Sequence, residues 1–120
     1  MLQLRKIDTT IRRDVRQFID VPFQLYRDCP QWVPPLVDDM ALVLNRRKHP
    51  FYRHSAADFF VAEEAGRTLA RIAVLDNRPY NEYHKTAKAF FYYFDCVDDA
   101  AVTRALFDAA FGWARARGLT

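Results

Sequence analysis

Residues 59–75 read FFVAEEAGRTLARIAVL, and this stretch decides the fold class. Residues 59–63 and 68–75 are two runs of strand-favouring side chains. Between them Ala65 and Gly66 supply a tight turn, because glycine allows the positive φ that a hairpin needs. Downstream, the turn-rich DNRPYNEYHK of residues 76–85 leads into AFFYYFDCV, a third strand over residues 89–97. Asp98 and Asp99 then offer an N-cap to a helix over residues 100–117. Its inward stripe is Val102, Leu106, Ala109 and Trp113, widened by Phe107 and Phe111, with Arg104, Asp108 and Arg115 opposite. Gly118 closes it.

Upstream of the hairpin, residues 2–7 alternate apolar and polar as a short strand, and Thr9 and Thr10 follow as helix caps. Ile11, Val15, Phe18 and Ile19 recur at helical spacing while Arg12, Arg13 and Arg16 face water. Pro22 removes a backbone donor and predicts a kink or a restart, after which Phe23, Leu25 and Tyr26 carry the apolar face onward. CPQWVPP, residues 29–35, is a stiff extended connector. Leu36, Met40, Val43 and Leu44 predict a second short helix ending near Asn45, with Arg46, Arg47 and Lys48 complementing its dipole.

The resulting order β, α, α, β, β, β, α predicts an α/β (α+β) fold in which a mixed, mainly antiparallel sheet carries helices on its faces. A helix that follows a strand and closes at glycine ordinarily feeds another strand. Only Leu119 and Thr120 follow Gly118, so the expectation is one domain over residues 1–120, truncated after its fourth strand and the following helix. On that expectation the aromatic strand lies at a sheet edge and invites self-association of the chain.

Composition narrows the class. The chain has 120 residues, 51% hydrophobic and 28% charged with only 3 Gly, which excludes disordered and low-complexity classes. A formal charge of +3 is too small an excess to imply nucleic acid without a cluster. Two cysteines, Cys29 and Cys96, make neither a disulfide framework nor a metal pattern, so a reducing cytoplasm is the expected compartment. No apolar run approaches a membrane span or a signal-peptide core, so no membrane partner is expected.

Residues 59–118, with a hairpin, a third strand and a long helix ending WARARGL, resemble the first half of a GNAT-type N-acetyltransferase domain. FIDVPFQLYRDCPQWVPPL, HPFYRHSAADFFVAEEAGRTLARIA, NEYHK and FFYYFDCVDDAAVTRALFDAAFGWARARGLT are similar to segments of large bacterial acetyltransferase-like proteins. The resemblance implies an acyl-CoA N-acyltransferase-like fold, acetyl-CoA or another acyl-CoA as co-substrate, and a small-molecule or peptide amine as acceptor. It also implies that the end of the fourth strand and the next loop meet the CoA, making Cys96, Val97, Val102 and Thr103 the cofactor-binding candidates. Active members carry an RxxGxG/A loop there, whose glycines let backbone N–H groups approach a diphosphate. Here residues 96–103 read CVDDAAVT, with no glycine and two acids that repel a diphosphate. Asp99 as an N-cap explains that segment. The alternative function is therefore a non-catalytic interaction module that keeps the architecture and has lost the phosphate loop.

Amine acylation needs a base, and Asp95, near the end of the aromatic strand where the family often places an acid, is the catalytic candidate. Asn81, Glu82 and His84 form a polar group suited to an acceptor, or simply to turn conformation. His49 and His54 have no Cys or acid completing a zinc pattern and read as structural. Arg46 to His49 is the only basic run, and with Phe51 and Tyr52 beside it offers a weak nucleic-acid reading. Neither cysteine has a sequence neighbour that would make it a nucleophile.

Overall fold

The computed structural model describes residues 2–31, 33 and 37–120. Four strands, β1 (Gln3–Lys6), β2 (Ala56–Glu64), β3 (Arg67–Asp76) and β4 (Phe90–Cys96), form one antiparallel sheet in sequence order. Helices α1 (Arg12–Leu25) and α2 (Val37–Leu44) and a 3₁₀ turn (Pro50–Arg53) lie between β1 and β2. Helix α3 (Arg78–His84) joins β3 to β4, and α4 (Ala100–Ala116) follows β4.

The β2–β3 turn has φ of 51° at Ala65 and 78° at Gly66, the left-handed pair that matches strand twist. One face of the sheet buries Ala57, Phe59, Val61 and Ala73 against Phe18 of α1 and Leu44 of α2. The other buries Ala62, Ala70, Ile72 and Val74 against Val102, Leu106 and Ala110 of α4. Phe107 of α4 meets Phe91 of β4 edge-on at 5.2 Å.

Several expectations change. Asp8, not Thr9 or Thr10, organises the start of α1: its carboxylate accepts from the Thr10 N–H and hydroxyl, and Ile11 at the cap makes no side-chain bond. Helix α1 runs through Pro22 without a restart. The DNRPYNEYHK stretch contains α3, because Asn77 caps it by accepting the Tyr80 N–H and Pro79 sits in its first turn. The fully inward line of α4 passes through Val102, Leu106, Ala110 and Ala114, while Ala109 and Trp113 lie at its flank. Helix α2 has no base in its last turn. Arg46 instead reaches back to the Ala57 carbonyl, Thr9 and Asp58. Leu36 and three residues of the 29–35 connector, Trp32, Pro34 and Pro35, lie outside the described residues.

After α4, Gly118 takes φ of 73° and the Leu119 N–H bonds the Ala114 carbonyl at 2.8 Å, turning the chain back to the sheet. The Thr120 N–H then bonds the Ala87 carbonyl at 2.8 Å, and its carbonyl accepts from the Ala89 N–H at 2.9 Å. These two bonds have the pattern of a parallel pair beside the segment that enters β4.

Candidate functional site

Strand β4 is irregular where it matters. Arg71 of β3 pairs with Asp95 and Ala73 with Tyr92, so β4 carries one extra residue between these pairs. Tyr93 there has φ of 52°, a left-handed conformation uncommon for a bulky aromatic residue. This is a β-bulge, which bends the strand and re-aims its side chains. Consequently two consecutive residues, Tyr92 and Tyr93, line one cavity, which the alternation of a regular strand forbids.

That cavity measures about 420 Å³ and lies between the sheet, Val43 of α2 and the 3₁₀ turn. Its floor is Ala57 and Phe59 of β2 with Ala73 and Leu75 of β3, and His49, Phe51 and Tyr52 complete the wall. The Tyr52 hydroxyl donates to the Val43 carbonyl at 2.6 Å, and burial pushes this phenol above its ordinary pKa. His49 Nδ1 accepts the Phe51 N–H at 3.2 Å.

Behind Tyr93 lies a charged triad. Arg71 Nε donates to Asp95 Oδ2 at 2.9 Å, and the Tyr26 hydroxyl donates to Asp95 Oδ1 at 2.7 Å. Both carboxylate oxygens are thus engaged. The Arg71 guanidinium also lies over the rings of Phe18 and Tyr93, 5.0 and 5.2 Å from their centres, and its Nη1 donates to the Phe18 carbonyl at 3.1 Å. Burial pulls Arg71 below its ordinary pKa, opposed by the Asp95 charge, while the bond to Asp95 pushes Tyr26 up to about 12. Tyr26 and Arg71 escape a reading by motif, although an arginine inside the apolar run LARIAV is a legible signal of a buried charge seeking a partner.

The four cofactor candidates stay together at the β4–α4 junction. Cys96 Sγ lies 3.4 Å from Thr103 Oγ1, the Val97 N–H donates to the Leu69 carbonyl, and Val102 is buried against the sheet. Asp99 caps α4 by accepting the Ala101 N–H at 2.9 Å, so the chain's own carboxylate occupies the helix start. The polar trio splits. Asn81 is buried and ties the α3–β4 loop by bonds to Thr86 and Lys88, whereas Glu82 and His84 are exposed, His84 against Tyr80. Arg46 of the basic run is committed to Asp58 at 2.8 Å and lies over Tyr52 and Phe59. Among the described residues no three His, Cys, Asp or Glu side chains converge as a metal site, and no helix is long and apolar enough to cross a membrane.

No family model matches the chain. It is 33% identical over 107 residues to Protein YghO of Escherichia coli (strain K12), the match covering 89% of this chain and 27% of that protein. It is 32% identical over 108 residues to Bacterial ceramide synthase of Caulobacter vibrioides, covering 89% and 28% respectively. The chain thus spans little more than a quarter of the length of these curated relatives. Among solved structures, a tandem GNAT protein from the clavulanic acid biosynthesis pathway, solved without AcCoA, matches 100% of this chain and 35% of its own, with a TM-score of 0.74 at 19% identity. The chain has a GNAT-like fold along its whole length.

Proposed function

We propose that, within the complete protein, this chain forms the first half of an N-acyltransferase domain that moves an acyl group from an acyl-CoA to an amine. In that step the amine nitrogen bonds the thioester carbonyl carbon and the C–S bond breaks. A proton passes from nitrogen to a base, and CoA leaves as a thiolate that takes up a proton. The observation carrying the reading is the GNAT-like fold with its fourth strand bulged beside a cavity. Similarity to a ceramide synthase supports it, since a ceramide is an amide of a long-chain amine. Asp95 is the carboxylate assigned to the reaction, with one oxygen accepting from Tyr26 and the other from Arg71. Cys96, Val97, Val102 and Thr103 are assigned to the CoA side of the site.

A second reading, a non-catalytic module of the same architecture, is favoured by one observation: Asp99 holds the start of α4 and residues 96–103 contain no glycine. Calorimetric titration of acetyl-CoA into the complete gene product separates the two. One saturable binding event per domain is expected, and absence of heat favours the second reading.

We further infer that the isolated 120-residue chain turns over no acyl-CoA and self-associates through the outer edge of β4. That strand ends the sheet order, and Thr120 pairs only with residues ahead of it. Light scattering at rising concentration tests the association, and a monomer throughout would refute it.

A further inference from the structure

We infer that the cavity between the sheet and the 3₁₀ turn is a binding site for a linear hydrocarbon chain, with Ala57 and Ala73 setting its depth. The inference deepens the acyl-transfer reading and rests on it for the identity of donor and acceptor. The chemistry of the ligand rests on the cavity itself. The space of about 420 Å³ is a cleft about half open to solvent, of a size that takes a small molecule or a chain segment.

The cause of the space is in the register. Ala57 pairs with Leu75 and Phe59 with Ala73, so each large floor residue faces an alanine across the strands. Both alanines are buried, at 4% and 1% exposure, and yet both line the cavity. A leucine at either position would fill the space from below. The bulge at Tyr93 brings Tyr92 and Tyr93 in from the side, and Tyr92, half exposed, forms the rim.

Among the described residues the wall contains no Asp, Glu, Lys or Arg, and two of its polar groups are turned to backbone: the Tyr52 hydroxyl to Val43 and His49 Nδ1 to Phe51. A sugar, nucleotide or amino acid buried here would lose hydrogen bonds to water and find few replacements. Saturated hydrocarbon loses none. The enclosing rings of Phe51, Phe59 and Tyr93 give a narrow chain contact on several sides.

A linear chain arrives from either substrate, as the tail of the acyl-CoA or as the tail of a long-chain amine. Calorimetry on the complete gene product decides, using acyl-CoA thioesters of two, eight, twelve and sixteen carbons in one arm and straight-chain alkylamines of eight, twelve and sixteen carbons in the other, all below micelle concentrations. In the arm whose tail enters the cavity, affinity should rise by about fourfold per methylene until the space is full. Ala73→Leu should flatten that rise while leaving acetyl-CoA binding as in the wild type. Affinity independent of chain length in both arms overturns the inference, even if acetyl-CoA binds and the acyl-transfer reading survives. A slope in the amine arm with no acyl-CoA binding supports the cavity assignment and removes the acyl-transfer reading. Should Ala73→Leu fail to fold by circular dichroism, Ala57→Val replaces it. A folded variant at either position that keeps the full wild-type slope also overturns the inference.

Discussion

Arg71 sits in the middle of β3 with its side chain 4% exposed, and everything around it compensates that burial. Asp95 supplies charge, the Phe18 carbonyl a hydrogen bond, and Phe18 and Tyr93 their ring faces. Breaking such a pair from one side leaves an uncompensated charge, so Arg71→Met should cost about 3–5 kcal/mol in urea melts. Lysine should not rescue it, because one ammonium lacks the planar fork that reaches both Asp95 and the Phe18 carbonyl. A loss below about 1 kcal/mol would show that packing alone holds the site. Tyr26 gives a second handle. Folded Tyr26 keeps its proton up to about 12, against the ordinary 10.0. A raised folded pKa binds the proton more tightly in the native state, so its stabilising share is complete below pH 10 and disappears as pH rises toward 12. Tyr26→Phe should therefore lose less stability than the wild type between those limits, measured as urea midpoints at stepped alkaline pH. Parallel midpoint curves for the two proteins would rule out a Tyr26 contribution.

At the scale of the element, α1 shows why a proline in a helix is not always a stop. Pro22 lacks the N–H that would bond the Phe18 carbonyl four residues back, and that carbonyl instead accepts from Arg71 at 3.1 Å. The helix continues because a side chain from the sheet replaces the missing donor. Pro22→Ala restores an amide at the place Arg71 already serves, so the two changes should be coupled. A double-mutant cycle with Arg71→Met should give an interaction energy of about 0.5–3 kcal/mol, the alanine helping more once the guanidinium is gone. Simple additivity, within about 0.3 kcal/mol, would mean that the carbonyl is indifferent to its donor. The expectation of a restart at Pro22 is sound local reasoning, and it fails because the compensating donor stands 49 residues away from the proline. The hairpin, by contrast, is legible because Ala65 and Gly66 carry its turn within the sequence itself. The β4 bulge is not legible: nothing in FFYYFDC marks which residue will take a left-handed φ, since the partner register decides it. The cavity is hidden for the same reason, as its floor depends on which residues face Ala57 and Ala73.

For the molecule as a whole, the layers are tied across the open end of β2. Asp58, which lies beyond the β1 pairing that reaches only to Phe60, accepts from Arg46 on one side and from the Trp113 indole at 2.7 Å on the other. The basic run that hints at nucleic acid in the sequence is thus partly a structural clasp. Strands β2 and β3 are joined by a two-residue turn, whereas β1 must wait for residues 7–55 to close before it can pair with β2. The sheet should consequently assemble from its centre outward, since closing a long loop costs more entropy than closing a short one. Core-truncating variants at Val61 and Ile72 should slow folding with φ-values near one, while Leu4→Ala should mainly speed unfolding. High φ-values at Leu4 would reverse that order. With the centre formed first, the nascent chain has an early hairpin whose β2 flank stays naked, and β1, although synthesised before the other three strands, is the last to be claimed.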